Sequence, residues 1–77
     1  ALSSMDIRDV LANNLRRQRR RHGISQEELA HRAEVDRTYI SALERCAYSA
    51  SIDVVARLAS ALEVTPEDLL RPDDSKS

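Results

Sequence analysis

Between Ala33 and Asp36 the chain leaves only Glu34 and Val35 for a change of direction. The stretches on either side, S-Q-E-E-L-A-H-R-A (25–33) and D-R-T-Y-I-S-A-L-E-R (36–45), both read as short helices. Ser25 can accept a hydrogen bond from the backbone N–H three residues on, and Glu28 at that position can reach back, so the pair is expected to form a capping box. Asp36 opens the second helix in the same way. Helices joined so tightly must cross steeply, and that crossing lets the second project into a DNA major groove while the first lies across it.

The rest of the chain reads as all-α: five helices and no strands in one small domain. The first helix is expected from about Ile7 to His22, capped by Asp6, with Ile7, Leu11 and Leu15 recurring every fourth residue and Gly23 placed to end it in a left-handed conformation. After the loop Cys46–Ala50, Ser51 caps a fourth helix with Ile52, Val55, Leu58, Ala59 and Leu62 on one side. Thr65 caps a last turn or two with Pro66 at the first helical position, and Leu69 and Leu70 are expected to fold back on the domain. The domain is expected over residues 6–71. Residues 1–5 are read as an N-terminal extension, and residues 72–77 as a disordered tail.

Charge is distributed unevenly along the chain. The net charge is -1, which taken alone argues against a polyanionic partner. Residues 1–24, however, hold six arginines against Asp6 and Asp9, a net of +4, while residues 25–50 sum to -2 and residues 51–77 to -3. Such a molecule can present a basic face and keep its acidic C-terminal part turned away. One cysteine, no secretory h-region and no apolar run long enough to span a bilayer imply a reducing cytoplasmic setting. His22, His31 and Cys46 are scattered singly and do not form the paired close spacings of a zinc site. With no glycine-rich loop and no nucleophile–base pair, the chain is expected to be neither an enzyme nor the holder of a cofactor or small-molecule ligand.

Ser25, Gln26, Leu29, Ala30, Val35, Ile40, Ser41, Glu44 and Arg45 match the pattern S-Q-x-x-L-A…V…I-S…E-R, and from about Leu11 to Leu70 the chain resembles the phage repressor and Cro (XRE-type) helix-turn-helix regulators. Within that family, D-R-T-Y-I-S and S-I-D-V-V-A-R-L-A-S-A-L are most similar to small stand-alone regulators, including the controllers of restriction-modification systems. The resemblance implies a compact five-helix, lambda-repressor-like domain with the helix-turn-helix at helices two and three. It also implies a transcriptional regulator that binds double-stranded DNA as a homodimer on a two-fold symmetric operator. The competing reading, favoured by the acidic balance, is the same fold used as a protein-interaction module.

A helical wheel of the third helix puts Tyr39, Ile40, Leu43 and Glu44 on a packing side and Thr38, Ser41, Ala42 and Arg45 on the other. Arg37 lies near the start and can offer its fork to guanine O6 and N7. By the resemblance, Arg37, Thr38 and Ala42 occupy the base-reading positions. Gln26, at the start of the second helix, can donate its amide to a phosphate beside the free N–H groups of that helix end, and Tyr39, Arg45 and Tyr48 are further phosphate candidates. Arg16 and Arg20, like Arg17 and Arg21, are expected to face water. Arg19 sits at the edge of the Leu11–Leu15 stripe and needs a carboxylate, for which Glu44 is the candidate, a pairing family members share. The dimer contact is expected near Val54, Leu69 and Leu70. Three positions depart from the family pattern: Glu34 and Cys46 stand where glycine is common, and Ala50 where proline is. A non-glycine residue in a left-handed conformation costs on the order of 1 kcal/mol.

Overall fold

Every helix starts on a side chain that accepts a backbone N–H, and the structure, a computed structural model describing residues 6–72, uses all five such caps. Asp6, Ser25, Asp36, Ser51 and Thr65 precede α1 (Ile7–Arg21), α2 (Gln26–Ala33), α3 (Arg37–Glu44), α4 (Ile52–Ala61) and α5 (Pro66–Leu70). The cap oxygens accept from Arg8 N at 2.9 Å, Glu28 N at 3.0 Å, Thr38 N at 3.1 Å, and Val54 N and Asp68 N at 3.2 Å. The box expected at Ser25 is only half made. Glu28 turns along the helix and accepts from Arg32 Nε at 2.8 Å instead of reaching back. The reciprocal box forms at Thr65, whose own N–H donates to Asp68 Oδ2 at 3.1 Å. The extension of residues 1–5, and the tail beyond Pro72, lie outside the described residues.

The first four helices all end alike. Gly23, Glu34, Cys46 and Glu63 take left-handed φ values of 66°, 61°, 62° and 59°. The residue after each donates its N–H back across the last turn: Ile24 to Arg19 O, Val35 to Ala30 O, Ala47 to Ala42 O and Val64 to Ala59 O, at 2.8 to 3.2 Å. This is the Schellman motif, and its apolar residue beyond the cap seals the helix end. Ile24, Val35 and Val64 duly pack on the core. Only one of the four left-handed positions is glycine, so the chain tolerates three side chains in a conformation that L-residues disfavour.

Packing closes the helices into a ring. α1 lies against α3 and α5, α2 against α3 and α4, and α4 against α5. Leu11 and Leu15 of α1, Leu29 of α2, Ile40 and Leu43 of α3, Val55 and Leu58 of α4, Leu62 just beyond α4 and Leu69 of α5 fill the centre. Ile7 and Ile52, expected on the core stripes, are instead 55% and 86% exposed. Each is the first residue of its helix and projects past the end of the ring. Leu69 is fully buried and Val54 packs on the core, so of the residues expected at a dimer contact only Leu70 stays open. Asn14, which the apolar pattern does not single out, is buried among these leucines. Its Nδ2 donates to Leu69 O at 2.8 Å and to Arg71 O at 2.9 Å, which satisfies the carbonyl end of α5 and ties that short helix to α1.

Candidate nucleic-acid interface

The angle between α2 and α3 is set by Glu34 in its left-handed cap and by Asp36, two residues later, opening the next helix. Behind that corner sits Glu44, with a side chain only 4% exposed. Arg19 Nε donates to Glu44 Oε2 at 2.8 Å and Arg19 Nη2 donates to Glu44 Oε1 at 3.1 Å, a two-pronged contact that raises the arginine pKa. Gln26 Nε2 donates to the same Oε1 at 3.0 Å. One carboxylate on α3 therefore fixes a guanidinium of α1 and an amide at the start of α2. Arg19 Nη1 also donates to Ile24 O at 3.1 Å, holding the α1–α2 connection.

A second arginine of α1 acts on the same last residue of α3, through its backbone. Arg16 was expected in water, but it is half-buried and donates Nη1 to the Glu44 carbonyl and Nη2 to Asn13 Oδ1. The last carbonyls of a helix have no partner of their own, and α1 passes close enough to supply one. Arg17 is likewise half-buried, with Nη2 donating to Asn14 Oδ1 at 2.6 Å, whereas Arg20 and Arg21 are exposed.

With α3 held at its last residue, its first turn is open. Arg37 and Thr38 are exposed at its start, and among the described residues no hydrogen bond or ion pair occupies Arg37. An open cleft lined by Arg19, Ser25, Gln26, Glu27 and Arg37 separates the N-terminus of α2 from that of α3. Thr38 donates its hydroxyl to Asp36 Oδ1 at 3.1 Å, which leaves its methyl and an oxygen lone pair facing outward. Asp36 in turn is held below the usual carboxylate range, chiefly by the Thr38 N–H.

Farther along α3, Arg45 is exposed and rests on the Ser41 hydroxyl at 3.0 Å. Ala42, expected on the open side, is only 8% exposed. The chain after α3 folds back on it, with Ala47 N donating to Ala42 O at 2.8 Å. The side chain of Tyr39 is half-buried, and its hydroxyl donates to Ser49 O at 3.4 Å. Its ring meets that of exposed Tyr48 edge-on, with centroids 5.8 Å apart. The loop after α3 is thus pinned to the helix by an aromatic pair, which the sequence presented only as two separate tyrosines.

Cys46 donates its thiol to Asp9 Oδ1 at 3.0 Å, and that bond pushes the thiol pKa up. Among the described residues no group of three potential metal ligands converges, and no helix is long and apolar enough to cross a membrane.

Comparison with known proteins agrees with this geometry. The helix-turn-helix family model matches residues 15–69. A hypothetical transcription factor of Neisseria meningitidis is 45% identical over 67 residues, covering 87% of this chain and 63% of that protein, so the chain spans under two thirds of this relative's length. Control protein C.SmaI of Serratia marcescens is 38% identical over 66 residues, covering 86% and 79% of the two chains. The solved structure of the hypothetical transcription factor NHTF from Neisseria superposes with a TM-score of 0.88 at 42% identity, covering 92% of this chain and 82% of that one. The chain belongs to the helix-turn-helix family of XRE-type, DNA-binding transcriptional regulators.

Proposed function

We propose that the chain reads a specific, two-fold symmetric operator as a homodimer, with α3 of each copy in the major groove and half-sites roughly 34 Å apart, one turn of the duplex. The observation that carries this is the free guanidinium of Arg37 beside exposed Thr38, on a helix whose orientation is fixed by the Arg19–Glu44–Gln26 contacts. Arg37 takes guanine O6 and N7, and the Thr38 methyl packs on a thymine methyl or its oxygen accepts from a base amine. Ala42, being nearly covered, offers at most a small apolar contact.

Gln26 keeps one amide hydrogen after donating to Glu44, and that hydrogen is aimed at a phosphate beside the positive end of α2. Arg45, Tyr48 and the Tyr39 hydroxyl, released from its long bond to Ser49, serve the backbone further along. Kinship with control proteins such as C.SmaI supports a compact regulator of that kind acting in the cytoplasm. No catalytic step is assigned to it.

Selection of bound duplexes from a random pool tests the whole reading. The expected product is a palindrome whose halves are one turn apart. Arg37→Ala is then expected to lower affinity by roughly 1–3 kcal/mol at one base pair and relax preference there, as read by fluorescence anisotropy. An equal loss on every sequence would reduce Arg37 to a phosphate contact.

A further inference from the structure

Four arginines share the outward face of α1. Arg16 and Arg20 lie one turn apart on one line of the helix, Arg17 and Arg21 on the next line, and together with Asn13 they line an open groove. That groove has no residue in common with the cleft of Arg19, Gln26 and Arg37. Two of the four arginines are held by the fold. Arg16 spends one N–H of each terminal nitrogen, on the Glu44 carbonyl and on Asn13 Oδ1, and keeps three of its five. Arg17 leans on Oδ1 of Asn14, the buried asparagine that also anchors α5. Among the described residues no hydrogen bond or ion pair occupies the side chains of Arg20 and Arg21. No carboxylate lines the groove. Like charges one turn apart on a helix repel, whereas elsewhere the chain sets an arginine within a turn of an acid, as in Glu28–Arg32 and Asp68–Arg71. The repulsion on α1 is one that a bound polyanion relieves.

We propose that this face of α1 is a second DNA-binding surface, which holds the phosphates of duplex DNA without reading bases. The inference goes beyond the operator reading, because it concerns a different surface and holds whichever sequence α3 prefers.

The chemistry of the groove selects the ligand. Guanidinium forks match phosphate oxygens two at a time, and every charged group here is an arginine. A lining of arginine and asparagine alone offers no apolar centre of the kind a protein partner buries. Interfaces to DNA, by contrast, are polar and strongly basic. No aromatic ring lines the groove, so nothing there stacks an unpaired base, which favours double-stranded backbone over single strands. The dimensions agree. From Arg16 to Arg21 the helix rises about 7.5 Å at about 1.5 Å per residue. Phosphates of one strand advance about 3.4 Å per step along the duplex axis, so the face spans roughly two of them. A chain of net charge -1 has to concentrate its basic residues to hold DNA, and α1 does so.

Fluorescence anisotropy on a random-sequence duplex and on the selected operator, over a series of salt concentrations, tests the surface through Arg20→Gln/Arg21→Gln. Both side chains are exposed and glutamine suits a helix, so the fold is expected to hold, which circular dichroism verifies. On both duplexes the double variant is expected to bind about tenfold more weakly at low salt, with the slope of log affinity against log salt shallower by about two. Sequence preference is expected to stay as it is. Arg37→Ala is expected to change that preference and leave the effect of the double replacement intact, so failure of the operator reading and failure of this inference appear in different variants. An unchanged slope on both duplexes overturns the proposal. A loss confined to the operator also overturns it and makes these arginines part of base reading. Titrations with inorganic tripolyphosphate and with polyglutamate separate other sources of negative charge. If the double variant loses affinity for either one and keeps its affinity for duplex, the face belongs to a free polyphosphate or to an acidic protein, and the assignment to DNA falls.

Discussion

Glu44 is where three helices meet, and its position shows how much one buried charge can organise in a small domain. Taking a carboxylate out of water is unfavourable unless its oxygens are filled, and here Arg19 and Gln26 fill them. Arg19→Ala leaves that carboxylate buried without its guanidinium and is expected to cost about 3 kcal/mol, seen as a lower midpoint in urea unfolding, well beyond the loss from an exposed pair such as Arg32–Glu28. Replacing Arg19 and Glu44 together by apolar residues of similar size is expected to recover most of that stability but not DNA affinity, because Gln26 then has nothing to hold it. Glu63 is the opposite case, a residue whose side chain the local backbone does not want. At φ 59° it occupies the left-handed position just after α4. Glu63→Gly relieves roughly 1 kcal/mol of strain and is expected to raise the melting temperature by about 4–8 °C in calorimetry. A fall would mean that the glutamate contributes more than its strain.

At the scale of the helices, ends matter more than interiors, because elements this short have few internal hydrogen bonds. α5 has five residues and could not persist alone. Asn14→Ala withdraws both donors from its terminal carbonyls and is expected to cost about 1–3 kcal/mol, with amide exchange of α5 accelerating more than that of α2 or α3. Carboxylates at the helix starts give the domain its acid sensitivity. Asp6, Asp36 and Asp68 are held below their ordinary 3.8, Asp6 mainly by the Arg8 side chain, Asp36 by the Thr38 N–H and Asp68 by the Thr65 N–H. A carboxyl more acidic in the folded than in the unfolded chain contributes stability that is complete above the unfolded value and is lost as pH falls through the folded one. The urea midpoint is therefore expected to hold steady from about pH 7 to about pH 5 and to drop between about pH 4 and pH 2. Asp36→Asn, which keeps a capping oxygen but cannot titrate, is expected to remove part of that drop while changing neutral stability little.

For the whole molecule, the distribution of charge decides more than its total. A chain with net charge -1 still brings Arg37 to the partial positive end of α2 across one open cleft, with Arg45 exposed farther along α3. Operator binding is accordingly expected to weaken steeply with salt, log affinity falling by about 0.9 per log unit of salt for each phosphate neutralised. Arg45→Ala should flatten that slope by about one such contact and leave sequence preference intact. The number, order and starts of the five helices were legible in the sequence, as was the sharp corner between α2 and α3, because caps and apolar spacing act within a few residues. The Arg19–Glu44 contact was legible too, since each side chain lay on an apolar stripe and one charge there needs another. What helices do to one another across the ring was not legible. A helical wheel assigned Arg16 to water and Ala42 to the open face, but α1 packing on α3 brings Arg16 onto the Glu44 carbonyl, and Ala42 is nearly covered in the folded domain. Likewise, Ile7 and Ile52 keep the core period, yet they stand at helix starts where the ring no longer reaches. Local hydrogen bonding and periodicity are properties of a segment and can be read along the chain. Which end of a helix is covered depends on where its neighbours stop, and only the folded arrangement fixes that.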